Sequence, residues 1–212
     1  MNDLRITRHI SPLLCSNMYI VLEGGHAIII DPIPQLGMLG NAKLDLILLT
    51  HEHYDHIYGA DYWRGATGAR ILATRACAVG CADSRRNLSR YSHTIAEIVE
   101  WAPQGLKPIE EFTCRVDESF EGEFSFSWNG HMVSVFECPG HSAGSCGILI
   151  DGGILFSGDS LLADWPTELR FPGGSKSAWE EIGKPRLCAL DPDVMVYPGH
   201  FEAFKLSDYR FW

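Results

Sequence analysis

Apolar and β-branched residues fall into short runs along the chain, each closed by a glycine or a polar turn, and these runs predict most of the secondary structure. Tyr19 to Glu23 and Ala27 to Asp31 flank Gly24-Gly25 as the arms of a hairpin. Leu46-Ile47-Leu48-Leu49-Thr50 reads as a buried strand, Tyr58 to Ala66 as a short helix, and Arg70 to Ala73 as a strand after the Gly68 break. In the second half, strands are expected near 132–137, 147–151, 153–157 and 193–197, with a helix from Ser177 to Leu190. Between the halves, Tyr91 to Trp101 sets apolar residues at 91, 95, 98 and 99 on one face of an amphipathic helix. Strands alternating with helices in both halves predict a sandwich of two sheets with helices outside. No repeat, low-complexity tract or linker interrupts the pattern, so 1–212 reads as a single domain, extended by an insertion around 81–123.

The polar residues that matter sit where the apolar runs end. His51-Glu52-His53-Tyr54-Asp55-His56 follows the strand at 46–50, and five of its six side chains could bind a metal. In an extended segment residues at i and i+2 point the same way, so His51 and His53 can grip one ion while Asp55 and His56 turn toward a neighbouring one. Pro139-Gly140-His141, Gly158-Asp159 and Pro198-Gly199-His200 each close a later strand with a glycine turn and one ligand-type side chain. Strand ends feeding loops are where α/β sheets place their chemistry. His93 and His131 lie outside every such motif. Cys77 and Cys81 read as helical neighbours in a core, and Gly144-Ser145-Cys146-Gly147 as close backbone packing beside the ligand loop, not as a nucleophile.

With these motifs the sequence resembles the metallo-β-lactamase-fold hydrolases, and within them the glyoxalase II-like branch. The resemblance runs from Asn17 to His200 and includes Asn17-Met18-Tyr19, Ile30-Asp31, the His-x-His-x-Asp-His run, Pro-Gly-His-Ser-Ala-Gly-Ser, Phe-Ser-Gly-Asp-Ser-Leu and Phe171-Pro172-Gly173-Gly174-Ser175. It implies a four-layer αββα sandwich of two mixed β-sheets with outer helices. It also implies that His51, His53 and His141 hold one metal and Asp55, His56 and His200 a second, with Asp159 bridging. Asp55 and Asp159 are then the catalytic carboxylates beside a metal-held hydroxide, and Asp31 orients a ligand histidine. The implied reaction is hydrolysis of a small thioester, ester or lactone. Two divalent ions are expected, zinc first, with iron or manganese fitting the same mixed donor set. The alternative is an oxidoreductase like the persulfide dioxygenases of the same superfamily, which use one iron held by two histidines and the aspartate. Glyoxalase II proper carries a helical domain after its last histidine ligand. Only Phe201 to Trp212 follows here, which leads us to expect a smaller relative. The usual Gly-Arg-Thr-Asp is replaced by Glu168-Leu169-Arg170-Phe171, leaving Arg170 as the candidate substrate-binding cation.

Composition narrows the partners. At 46% hydrophobic and 21% charged residues the chain is globular, and a net charge of −10 lacks the basic footprint that a nucleic acid requires. A small-molecule substrate is expected, with no nucleic acid and no membrane. No apolar run is long enough to span a bilayer, Met1-Asn2-Asp3-Leu4-Arg5 does not open a signal peptide, and the seven cysteines read as reduced thiols, which together suggest the cytoplasm. The insertion, with Trp101, reads as a lid, a binding wall or a homodimer contact.

Overall fold

The computed structural model describes residues 4–35 and 37–212, so the reading of Met1 to Asp3 lies outside the described residues. Among the described residues twelve strands form two sheets of six, and each sheet is filled from one half of the chain. The first holds β1 (Arg5–Ile10), β2 (Asn17–Glu23), β3 (His26–Ile30), β4 (Lys43–Leu48), β5 (Arg70–Thr74) and β6 (Glu118–Phe120), in that spatial order. The second holds β7 (Glu123–Trp128), β8 (His131–Glu137), β9 (Cys146–Ile150), β10 (Ile154–Gly158), β11 (Met195–Pro198) and β12 (Phe204–Lys205), also in order. Both sheets are mixed: β1 to β3 pair antiparallel and β3 to β6 parallel, while in the second sheet only β10 and β11 run parallel.

Alternate residues of the central strands serve two different cores. Tyr19, Val21, Ile28, Ile30 and Leu48 face the second sheet, where they meet Val133, Val135, Ile148 and Phe156. Their chain neighbours Met18, Ile20, Ile29 and Ile47 point outward onto Ile57, Trp63, Cys77 and Cys81 of the first helical layer. Burial on both faces is why these strands read as continuous apolar runs. Leu155 and Val196 pack outward onto Trp179 and Leu187 of the second helical layer, completing the αββα sandwich.

The helices depart from the sequence reading in three places. The helix expected from Tyr58 to Ala66 is α2 (Ala60–Thr67), and a separate turn of helix that was not expected, α1 (Tyr54–Ile57), precedes it within the histidine run; the two are broken where the Gly59 N–H donates to the Pro32 carbonyl at 2.9 Å. After α3 (Arg75–Cys81), capped by the Thr74 side chain, α4 (Ser92–Ile98) is shorter than expected. Only Ile95 of its apolar face is buried; Tyr91 and Ile98 are 41% and 59% exposed, and Trp101 lies past the helix end. The helix near Ser177 to Leu190 is α5 (Lys176–Ala178) and α6 (Lys184–Cys188), joined by a π-helical turn, Trp179–Gly183. Pro185 has no N–H to give to the carbonyl four residues back and crowds that turn, which widens in response. Among the described residues no helix is long and apolar enough to cross a membrane.

Candidate metal centre

The strand ends of both sheets converge on one buried cluster. His51 leaves the end of β4, His53 is the extended residue before α1 (φ −63°, ψ 143°), and Asp55 and His56 lie in that helix. The second sheet supplies His141 beyond β8, Asp159 directly after β10 and His200 just past β11. One ligand-type atom from each of His51, His53 and His141 lies within 4.8 Å of the other two, and the same holds for Asp55, His56 and His200. The Asp159 carboxylate sits between the groups, 3.6 Å from His141 Nε2, 3.5 Å from His56 Nε2 and 3.4 Å from His200 Nε2. All seven residues are buried.

Local hydrogen bonds fix the imidazoles. Asp31, at φ +51°, accepts from the Thr50 N–H at 2.8 Å and from the Thr50 hydroxyl at 2.6 Å. The Thr50 proton being committed there, His51 Nδ1–H donates to Thr50 Oγ1 at 3.0 Å, and His56 Nδ1–H donates to Asp31 Oδ2 at 2.9 Å. His141 Nδ1–H donates to the Glu168 carbonyl at 2.8 Å, which leaves its Nε2 as the lone-pair nitrogen, 3.0 Å from His53 Nδ1. The Nε2 atoms of His51 and His56 and Asp159 Oδ1 are buried without a hydrogen-bond partner. Buried donors and acceptors are rarely left so, and an ion held between them would satisfy all three.

The His200 turn is held from the first sheet. Tyr19 Oη donates to the Pro198 carbonyl at 2.7 Å, and Asn17 Nδ2 donates to the same carbonyl and to that of Phe201. Gly199 N–H donates to the Gly158 carbonyl, and a Cβ at Gly199 would stand 2.0 Å from Asp159 Oδ1, so only glycine lets the two ligand turns lie this close.

Charge divides the cluster in two. Burial, reinforced by the neighbouring rings, holds His51 well below the ordinary imidazole range; burial likewise lowers His53 to about 3 and lowers His141. Burial opposes a charge on His56 and His200 as well, but Asp55 and Asp159 overcome it, lifting His56 well above its usual value and His200 to about 9. Both carboxyls are held low despite their burial, Asp55 by His56 and His200 and Asp159 by His200 and His56. Three neutral imidazoles, two carboxylates and two imidazoles that carry protons as counter-charges form a set whose protons divalent ions can replace.

Two residues singled out by type stand elsewhere. Glu52 points away from the cluster: Ser142 Oγ donates to it at 2.7 Å, and Gly80 and Gly144 pack against it. Arg170 is not brought to the cluster; its side chain is 89% exposed and folds onto Glu168 at 2.6 Å. Around the cluster stand Thr50 and Phe171, which the sequence did not single out, and Trp101, which it placed in a lid, a binding wall or a dimer contact. Thr50 completes the Asp31 relay, Phe171 stands edge-on to His53 and His141 with centroids at 6.2 and 6.4 Å, and Trp101 lies 5.5 Å from the His200 ring. These rings, with Leu14, Tyr54 and Ile95, line a cavity of about 30 Å³ over the cluster. A wider cleft of about 820 Å³ lies behind Glu52, and its arginines are engaged, Arg75 by Glu121 and Arg85 and Arg86 by Asp83. None of the seven clustered residues lines it.

The chain belongs to the metallo-beta-lactamase superfamily, whose model matches residues 12–200. The hydroxyacylglutathione hydrolase of Cereibacter sphaeroides is 31% identical over 194 residues, covering 88% of this chain and 61% of that protein. The enzyme of the same name from Alkalilimnicola ehrlichii is 29% identical, covering 90% of this chain and 59% of that one. The chain thus spans about three fifths of the length of these curated relatives. Among solved structures, the BLEG-1 B3 metallo-beta-lactamase superposes with a TM-score of 0.80 at 23% identity over 96% of this chain and 95% of that one. TTHA1623 in a di-iron-bound form superposes with a TM-score of 0.73 at 25% identity over 95% and 96% of the two chains.

Proposed function

We propose that the chain is a metal-dependent hydrolase of a small thioester, ester or lactone, with thioesters first. His51, His53 and His141 would hold one divalent ion and Asp55, His56 and His200 a second, with Asp159 between them. The observation that carries this reading is that His51 Nε2, His56 Nε2 and Asp159 Oδ1 are all buried with no hydrogen-bond partner, while the Nδ1 atoms of the two rings are held by Thr50 and Asp31. When bound, two divalent ions supply Lewis acidity toward a carbonyl oxygen and lower the pKa of a water from about 15.7 toward ~7. The chain's own residues orient that chemistry. Asp31 and Thr50 keep the His51 and His56 rings from turning, and Glu168 does the same for His141 through its carbonyl. Exclusion of water falls to Trp101, Phe171 and Leu14.

The thioester preference draws on the relatives named hydroxyacylglutathione hydrolase, and the dinuclear reading on the di-iron form of TTHA1623. Imidazole and carboxylate donors suit zinc, and equally iron or manganese. We read residues 1–212 as a single domain in which the 81–123 insertion covers the site. All seven cysteines are free thiols, which supports a reducing, cytoplasmic setting.

Elemental analysis of protein purified without chelators tests the proposal, alongside Asp159→Ala. About two equivalents of divalent metal per chain are expected. The variant should hold less metal, and thioester hydrolysis by the parent protein should vanish on chelation and return with zinc or manganese. A single iron with oxygen uptake on a persulfide, and no thioester hydrolysis, would overturn it.

A further inference from the structure

Three separate segments meet over the ligand cluster, and each brings an apolar side chain. The turn before β2 contributes Leu14, the insertion contributes Leu88, Ile95, Val99 and Trp101, and the loop before α5 contributes Phe171. The aromatic rings are shared out: Phe171 caps His53 and His141, while Trp101 lies on His200 and packs against Trp165 and Phe201, with centroids at 5.2 and 5.3 Å. Among the described residues that line the cavity there is no lysine or arginine, and its only carboxylates are Asp55 and Asp159 of the cluster. Arg170, next in chain to Phe171, is paired on the outer surface. Two lining residues carry donors that are buried without a partner, Tyr54 Oη and Trp101 Nε1.

An apolar wall with neutral donors suits a group that has carbonyl or hydroxyl oxygens and no charge, because a carboxylate or ammonium held among Leu14, Leu88, Ile95, Val99 and Phe171 would lose its hydration with no opposite charge on that side, the charge of His200 being engaged by Asp55 and Asp159. At about 30 Å³ the cavity has room for little more than a water molecule, so the roof must part before any acyl chain enters. The insertion is built for that. Its base is pinned where Asn87 Nδ2 and Ser89 Oγ donate to the Phe112 carbonyl at 2.8 and 3.1 Å and Ser89 Oγ accepts from the Phe112 N–H, while Ile95, Val99 and Trp101 beyond this neck lie against the cavity.

We infer that this roof is an acyl-binding wall: the substrate presents an uncharged, apolar acyl group, the segment 89–112 opens to admit it, and Trp101 and Val99 set the specificity. The inference rests on the hydrolase reading above and narrows its substrate class.

The test uses N-acetylcysteamine thioesters with the metal-loaded protein. The butanoyl thioester should exceed the succinyl thioester in kcat/KM by roughly tenfold or more. Trp101→Ala should shrink that ratio mainly through KM, and Val99→Lys, which needs no ring removed, should turn it toward succinyl. A second arm reads binding without turnover: in metal-free protein the S-butyl thioether of N-acetylcysteamine should change tryptophan fluorescence, the carboxypropyl thioether should not, and Trp101→Phe should lose the response. Equal rates on the two thioesters, or a ratio unmoved by both variants, would overturn the acyl wall while leaving the hydrolase standing. No metal-dependent hydrolysis of any thioester, ester or lactone, with selective thioether binding intact, would overturn the hydrolase reading and keep the apolar wall.

Discussion

Tyr54 is the residue whose chemistry and stability pull in opposite directions. Its side chain is 2% exposed, its hydroxyl has no partner, and burial pushes its pKa well above an ordinary phenol, so it is a protonated donor at any working pH. A buried hydroxyl left unsatisfied costs about 1–3 kcal/mol. Tyr54→Phe is therefore expected to raise the urea midpoint of the free protein while lowering kcat/KM on its best thioester by about tenfold, the loss of one hydrogen bond to substrate. A stabler variant with unchanged kinetics would show that the hydroxyl never meets substrate. The seven clustered residues were legible in the sequence because the segments that present them each follow an apolar run. Phe171 was not, because residue type favoured its charged neighbour: Arg170 was the only basic group in the loop, and which of two adjacent side chains turns inward is set by packing against His53 and His141.

Among the elements, the insertion differs most from its sequence pattern. The periodicity from Tyr91 to Trp101 describes a helix with a buried stripe, yet α4 stops at Ile98, and Val99 is extended at φ −80° and ψ 116°. That break carries Trp101 off the helix and onto His200, a contact between distant parts of the chain that no local period encodes. The neck at Ser89 and Phe112 sets how freely the segment opens. Ser89→Ala removes its two side-chain hydrogen bonds, each worth about 1 kcal/mol. Amide hydrogen exchange should quicken within α4 while β4 and β10 keep their protection. Equal loosening of the sheets would mean that the neck supports the whole fold and not the lid alone.

For the whole molecule, the cluster joins the two sheets, and its protonation governs stability when metal is absent. His51, His53 and His141 are held low, with His53 at about 3, so below the free value of 6.5 the unfolded chain takes up protons that the folded chain refuses. Stability should fall as the pH drops from 6.5 toward 3. His56 and His200 work in the opposite sense: the stability they contribute is present below 6.5 and lost as the pH rises toward the His200 value of about 9. Urea unfolding of chelated protein across this range should show a maximum near pH 6.5, and loading with zinc, which on the proposed assignment would replace the protons on His56 and His200, should remove the alkaline decline. A flat profile without metal would contradict the charge division described for the cluster. Both sheets were foreshadowed by their apolar runs, whereas the edge strands β1, β6, β7 and β12 were not, because a half-exposed or very short strand leaves little apolar signature.

The division of ligands between the two halves also orders events in time. On the proposed assignment, a ribosome would deliver His51 and His53 early, complete the first trio with His141, and release Asp159 and finally His200 only after most of the second sheet had emerged. One ion could then be captured by a nascent chain, but the other would have to wait for the Tyr19 hydroxyl to find the Pro198 carbonyl and draw the last histidine into position. Maturation of such a protein would be stepwise, and scarcity of metal during growth would yield chains arrested with a single ion.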